Sequence, residues 1–446
     1  MPGNSNHGGV AGSDGATRSL PGGHIVDSSR GSSTFPLHVD APHRQLVNGT
    51  GRPFLIVGDA AWSLIAQLSD ADAATYLRSR KASGFNTILL NVIEHHFADH
   101  APADIRGVPP FTIPGDFTRP NAEYFDHAER VVSMARDLGF LVLLTPAYAG
   151  FGGGEQGWYR EMEAMGPQGL RDYGRFVGRR FRSYDNVLWV QGGDYDVPDP
   201  TLVNAIAEGI AEVSPESLQT YHNSRDDRIG SLWRDQDWFT VDNIYTGGPP
   251  LEAASTAYRD GRDPFFLIEA VYENEPGAAP ADLRRQSYET VLAGGIGHVF
   301  GNNPIWHFDS EGLHAAPTDW KGQLGSEGTR GMTQFARILG ATDWWKLRPD
   351  SGDLLSGANS GSAESAVGAV ACDGSFAVVY NAAGVPLVVD PSALAQPVKR
   401  GLWRDPVDGR TIPVDLSHRV DEGVRITPPG HNAGGDTDWV LLILTQ

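Results

Sequence analysis

Two carboxylates stand where apolar runs of the chain end. Asp194 closes the stretch Asn186-Val-Leu-Trp-Val-Gln-Gly-Gly-Asp194, and Glu269 follows Phe265-Phe-Leu-Ile268. A glutamate after four consecutive apolar residues needs an ion pair or a catalytic task to offset its desolvation. Glu273, four residues on, competes with it for either role. An aspartate that follows a strand and two glycines lies close to backbone at the strand's mouth; otherwise it is a turn residue capping the next helix. Two such acids, one giving a proton and the other attacking carbon or activating water, are the minimum set for cleaving a glycosidic bond.

Other polar residues end apolar runs in the same way. They are Asp59, Asn91, Tyr148, His222, Asp242 or Tyr245, and Asn302 or Trp306. Together they offer carboxylates, amides, an imidazole and rings, the groups that hydrogen-bond sugar hydroxyls and stack on sugar faces. Trp62 and His95, just past two of these runs, join Glu273 in the expected binding set. Among the tryptophans, Trp189 and Trp233 default to core, whereas Trp158 and Trp306 lie in or near loops suited to stacking. His298, inside an apolar run, reads as a satisfied core residue. Asp59, His95, His96 and His222 raise the alternative of a metal, but no H-x-H or H-E-x-x-H spacing supports it, so neither a metal nor another cofactor is expected. The absence of G-x-S-x-G removes the usual signal for serine hydrolysis.

The elements that must position these groups follow from periodicity. Eight short apolar runs, rich in β-branched or aromatic residues, begin near residue 53: Pro53–Asp59, Asn86–Ile93, Phe140–Tyr148, Asn186–Asp194, Leu218–Ser224, Trp238–Tyr245, Phe265–Glu269 and Gly297–Trp306. Helical stretches separate them. The clearest runs from Asn121, a capping residue, to Gly139, with Tyr124, Ala128, Val131, Ala135 and Leu138 on one face. Strands alternating with helices imply parallel βαβ units, and eight of them imply a closed α/β barrel, the (β/α)8 TIM barrel. A doubly wound sheet is the rival, weakened because no G-x-G-x-x-G follows the first strand. The stretches Glu94–Pro120 and His307–Gly325 read as long loops on the C-terminal face, where barrels build sites.

Beyond Trp345 the pattern changes to short alternating runs divided by Gly, Pro and Asp turns: Ser365–Ala371, Ser375–Asn381, Pro386–Asp390, Lys399–Asp405, Val424–Thr427 and Trp439–Leu444. This predicts a C-terminal all-β sandwich. The organisation expected is therefore a flexible tail over 1–34, rich in Gly, Ser, Asn and Asp, a catalytic barrel over 35–345, and an accessory β-sandwich over 346–446. The Trp344-Trp345 junction reads as a packed interface.

Composition bounds the partners. The 446 residues carry 35 basic and 55 acidic side chains, a formal charge of −20. Nucleic acid and anionic membrane both require basic surfaces, so neither is expected; a neutral carbohydrate is compatible. No apolar run is long enough to span a bilayer. The single cysteine, Cys372, permits no internal disulfide, and it falls in an alternating run that predicts packing. With no basic start followed by an apolar segment, no secretion signal is read, and a cytoplasmic location is expected. Oligomeric state is not encoded in any of these features.

Several blocks, in order, carry a resemblance. Gly51-Arg-Pro-Phe-Leu-Ile-Val-Gly-Asp-Ala-Ala-Trp62, Gly84-Phe-Asn-Thr-Ile88, the Asn186–Asp194 stretch, Trp238-Phe-Thr-Val-Asp-Asn243, Trp344-Trp-Lys-Leu-Arg-Pro-Asp350 and Asp373-Gly-Ser-Phe-Ala-Val-Val-Tyr380 resemble the apiosidase-like glycoside hydrolases, in which a barrel precedes a collagen-binding-type β-domain. The resemblance implies hydrolysis at a furanose such as apiose. It also implies that Asp194 is the acid/base and Glu269 the nucleophile, hence retention through a covalent glycosyl-enzyme. The family's Gly-Glu-Pro-x-Tyr-Glu appears here as Ile268-Glu-Ala-Val-Tyr-Glu273, which keeps both glutamates and leaves linkage specificity open. An arabinofuranosidase or other glycosidase on the same scaffold, a non-catalytic carbohydrate-binding protein, and a metal-dependent hydrolase of another bond are the alternatives.

Overall fold

In the computed structural model, residues 34–226, 231–355, 366–415, 419–420 and 423–445 are described. The tail expected over 1–34 lies outside them except for Thr34. A hairpin of β1 (Leu37–Asp40) and β2 (Gln45–Asn48) opens the described chain. Eight strands follow: β3 (Ile56–Ala60), β4 (Thr87–Asn91), β5 (Leu141–Thr145), β6 (Val187–Gly192), β7 (Leu218–His222), β8 (Asp242–Tyr245), β9 (Phe265–Glu269) and β10 (Gly297–Phe300). Between and after them come α1 (Leu64–Gln67), α2 (Asp70–Ala82), α3 (Ala122–Asp137), α4 (Tyr159–Phe181), α5 (Pro200–Val213), α6 (Ser231–Arg234), α7 (Leu251–Asp260), α8 (Pro280–Leu292) and α9 (Glu327–Gly340).

The strands pair in parallel, and the first meets the last: Gly297–Phe300 of β10 runs in register with Ile56–Asp59 of β3. Between β7 and β8 there is no regular ladder. Main-chain N–H groups of Thr240 and Val241 donate to Gln219 O at 3.0 and 3.3 Å, and Asn243 Nδ2 donates to Tyr221 O at 2.7 Å. A side-chain amide thus completes the barrel where backbone pairing lapses. The helix read over Asn121–Gly139 forms as α3: Asn121 accepts from Glu123 N–H at 3.3 Å, and the apolar face is buried. Every strand is shorter than or equal to its apolar run, because the last residues of most runs bend away into loops at the C-terminal face. At the opposite face, Pro36 and Leu37 sit against the first residues of β5 and β7, Leu141 and Leu218, so the hairpin covers that end. Sequence periodicity gave no sign of this hairpin, whose strands have only four residues each.

The second region contains β11 (Leu347–Pro349), β12 (Ala366–Ala371), β13 (Phe376–Asn381), β14 (Leu387–Val389), β15 (Arg400–Arg404), β16 (Thr411–Pro413), β17 (Arg419–Val420), β18 (Gly423–Ile426) and β19 (Trp439–Leu444). They form antiparallel sheets of six and three strands. Alternation explains why β13 and β19 are apolar throughout. Ala377, Val379, Trp439, Leu441 and Ile443 face the sandwich core. Phe376, Val378, Tyr380, Val440 and Leu442 join the core of the barrel. The two faces of the same strands therefore serve two cores, and Thr34–Gln446 forms one compact unit. Cys372 departs from expectation: β12 ends at Ala371, the chain turns, and the thiol is exposed.

A buried ion pair crosses this contact. Arg284, on α8, donates through Nε to Asp438 Oδ2 at 2.9 Å and through Nη2 to Asp438 Oδ1 at 2.6 Å and Asp436 Oδ2 at 2.7 Å. The Tyr380 hydroxyl and Asn432 Nδ2 complete the shell of Asp438 at 2.9 and 2.7 Å. Removing the guanidinium would strand a buried carboxylate, which typically costs about 3 to 5 kcal/mol. We expect Arg284→Met to lower unfolding free energy by about 3 kcal/mol in a denaturant titration. A loss below about 1 kcal/mol would show that the pair is not a structural tie.

Candidate active site

The turn after β6 fixes Asp194. Gly192 has φ of 83°, and a Cβ there would lie 2.5 Å from the Tyr221 ring; a Cβ on Gly193 would lie 2.5 Å from the Tyr148 ring. Two residues without side chains let the chain pass between these rings and present the aspartate to the cavity. The Tyr148 hydroxyl then donates to Asp194 Oδ2 at 2.9 Å. Glu269 is the last residue of β9. Its Oε2 accepts from His222 Nε2 at 2.8 Å and its Oε1 from the Tyr272 hydroxyl at 2.5 Å. Trp62 Nε1 in turn donates to the Tyr272 oxygen at 3.1 Å.

His222, the last residue of β7 and fully buried, links the two acids. Its Nδ1 lies 3.0 Å from the Asn223 carbonyl and 3.8 Å from Asp194 Oδ1. Both closest partners of the ring, a carbonyl and a carboxylate, are acceptors. Only the doubly protonated imidazolium donates to both. Burial opposes that charge, but the hydrogen bond to Glu269 and the fields of Asp194 and Glu269 outweigh it and raise the histidine's pKa. Asp194 responds in the other sense. Burial first, then repulsion by Glu269, push it up to about 6, against the attraction of His222 and the Tyr148 hydrogen bond. The closest acceptor oxygens of Asp194 and Glu269 lie within 4.8 Å of each other.

These groups line a cavity of about 310 Å³ at the C-terminal mouth of the barrel. Trp62, Asn91, Tyr148, Asp194, Tyr245, Glu269 and Trp306, all from the expected set, form its walls. Three buried polar atoms there lack a well-aligned hydrogen-bond partner among the described residues: Asn91 Oδ1, Asp194 Oδ1 and Trp306 Nε1. His222 stands behind the wall and acts through the acids.

Three residues of the expected set lie elsewhere. Asp59 is fully buried, its Oδ2 held by the Tyr76 hydroxyl and Arg80 Nε, both at 2.5 Å; Arg80 also reaches Thr329 Oγ1 at 3.1 Å. This strut ties β3 to α2 and α9. Glu273 caps α9: Oε1 accepts from Gly328 N–H at 2.8 Å and Oε2 from Asn302 Nδ2 at 2.7 Å. A carboxylate on the N-terminal amides of a helix is already satisfied. His95 pairs with Glu161 at 3.2 Å and stands edge-on to Trp158. Trp158 itself is buried among Phe111 and Phe117 and donates to Ile93 O, so it is core rather than a stacking platform.

Sequence reasoning missed Tyr272, Arg225 and Glu275. Tyr272 stands within the Glu-x-x-Tyr part of the seventh-strand motif, and its spacing from Glu269 was the available signal. Arg225 lies over the Tyr245 ring and donates to its hydroxyl at 3.1 Å. Glu275 faces the cavity, and burial with repulsion by Glu269 pushes it up to about 7. Both sit in loops without periodicity, where only the fold reveals direction.

Comparison with known proteins agrees with this geometry. Residues 40–346 match the model of the family described as "Apiosidase-like, catalytic domain", and residues 349–444 match "Putative collagen-binding domain of a collagenase". No curated relative matches the chain. Among solved structures, a glycoside hydrolase family 5 protein from Bacteroides vulgatus is 20% identical, with a TM-score of 0.78 over 92% of this chain and 95% of that one. A second, titled a glycoside hydrolase, is 22% identical, with a TM-score of 0.80 over 93% of this chain and 98% of that one. At these identities the likeness is one of fold. The family match covers most of the chain: it belongs to the apiosidase-like family and is a glycoside hydrolase.

Proposed function

We propose that the enzyme cleaves a furanoside bond, apiosidase-like in specificity, with retention of anomeric configuration. One observation carries the mechanism: the closest oxygens of the two acids approach within 4.8 Å, and burial pushes the Asp194 carboxyl up. Retaining enzymes hold their carboxyls about 5 to 5.5 Å apart, whereas inverting ones leave about 6.5 to 9.5 Å for a water. In this reading Glu269, oriented by hydrogen bonds from His222 and Tyr272, attacks the anomeric carbon. Asp194 protonates the departing oxygen as the bond to it breaks. The aspartate, now ionised, takes a proton from water, which displaces Glu269 and regenerates both groups. The family membership supports a furanose; an arabinofuranosidase on this scaffold remains the alternative specificity.

A second reading follows from the same cluster. Asp194, His222 and Glu269 each offer a ligand atom within 4.8 Å of the others, a spacing that suits a divalent ion. In the metal-free reading both ring nitrogens of His222 are instead protonated and donate to the acceptors they face. Activity is expected to survive exhaustive chelation; a chelated, inactive enzyme restored by zinc or manganese would establish the second reading.

Two further outcomes test the mechanism. Asp194→Asn and Glu269→Gln should each reduce turnover by about a thousandfold or more while circular dichroism stays unchanged. Proton NMR of the first product should show the anomer of the substrate. Retention of more than about a tenth of the activity by both variants, or an inverted first product, contradicts the assignment.

The pH dependence follows from the shift at Asp194. The donor works only when protonated, so kcat/KM should fall as pH rises through about 6. Tyr148 hydrogen-bonds the ionised form, so its loss favours the protonated form. Tyr148→Phe should therefore move this alkaline limb upward, by roughly half a pH unit or more. A limb that stays put or moves down would place the proton donor elsewhere.

A further inference from the structure

The mouth of the cavity is unlike its floor. Five large hydrophobic side chains are exposed among the described residues, and two of them, Phe151 and Leu313, line this one opening. They are 69% and 57% exposed. A single exposed apolar side chain means little, but a pair on one rim marks a binding surface. The fold does not need them there, since neither fills its core. Behind them Phe97 and Trp306, 4.8 Å apart edge to face, carry the apolar band inward to the acids.

The position of Phe151 relative to Asp194 gives the band its direction. Phe151 opens a glycine-rich turn after β5, and the next residue, Gly152, donates its N–H to the Asp194 carbonyl at 3.1 Å. The turn is thus fastened to the residue that, in the reading above, protonates the departing oxygen. Whatever is attached to that oxygen must lie on the Asp194 side and leave through the mouth. Leu313 approaches the same opening from the loop after β10, which is anchored by Ser310 Oγ donating to Phe97 O at 2.9 Å. Leu313 and Phe151 themselves offer no hydrogen bond to sugar hydroxyls, and Arg225 and Gln156 are among the polar side chains that line the same cavity. A flat aromatic ring needs no hydrogen bond from either side chain and gains apolar contact with them.

We propose that Phe151 and Leu313 form a leaving-group site for an aromatic aglycone, so that the natural substrates are glycosides of aromatic alcohols rather than oligosaccharides. The inference rests on the glycosidase reading, with Asp194 as donor.

Benzyl and methyl glycosides of the sugar that the enzyme accepts isolate the effect, because the two leaving alcohols are of nearly equal acidity. Wild type should prefer the benzyl glycoside in kcat/KM by about tenfold. Phe151→Ala and Leu313→Ala should each cut that ratio about threefold, and Phe151→Trp should preserve it. A ratio within one enzyme does not depend on the fraction folded. A wild-type ratio near one, alanine variants that leave it unchanged, or a disaccharide preferred over the benzyl glycoside would overturn the aglycone site alone. Failure to hydrolyse any glycoside would overturn the underlying reading with it.

Discussion

The hydrogen-bonded pair of His222 and Glu269, buried at the ends of two barrel strands, sets the conditions for everything around it. A buried carboxylate is costly unless it is paired and its oxygens are satisfied. Here one oxygen meets the imidazolium and the other the Tyr272 hydroxyl. That arrangement holds a negative charge in place, and the charge then acts on its neighbour. Asp194, half-buried and 3.8 Å from the same imidazole rather than hydrogen-bonded to it, keeps its proton to about pH 6. Two chemically similar acids acquire opposite roles from where their charges are compensated. The histidine does this without facing the cavity.

Much of the rest can be understood as support for that cluster. The barrel brings residues distant in sequence to one face, because the ends of parallel strands converge there. Gly192 and Gly193 let Asp194 approach Tyr148, and Tyr272 is set by its place three residues after Glu269. The strut of Asp59, Arg80 and Tyr76 and the cap that Glu273 places on α9 hold the helices that surround the mouth. The β-sandwich shares two apolar strands with the barrel core and is tied by Arg284, yet among the described residues it contributes no wall of the cavity.

The order of elements was readable because the barrel strands are buried on both sides and most are rich in apolar residues, and each is followed by a turn. Asp194 and Glu269 stood out for the same reason: an acid ending such a run is energetically conspicuous. That same logic misdirected Asp59 and Glu273. An acid at a strand end can be satisfied by a helix arginine or a helix N-terminus, and whether one is present depends on packing between distant segments. Asp59 is paired to Arg80, twenty-one residues on, and Glu273 to the amide of Gly328, fifty-five on. Arg225, Glu275 and Phe151 were illegible because loops carry no period. The hairpin before the barrel was illegible because strands of four residues give too little alternation to see. Cys372 shows the limit of an alternating run, which does not reveal the residue at which a strand stops.

The central claim is that Asp194 holds a proton where an ordinary aspartate would not, because burial, and then repulsion by Glu269 beside it, push its carboxyl up. Carbon-13 NMR titration of the side-chain carboxyls, with Asp194 assigned by comparison with Asp194→Asn, measures this directly in the resting enzyme. The account predicts an Asp194 midpoint near pH 6. A midpoint near the ordinary aspartate value of about 3.9 would contradict it.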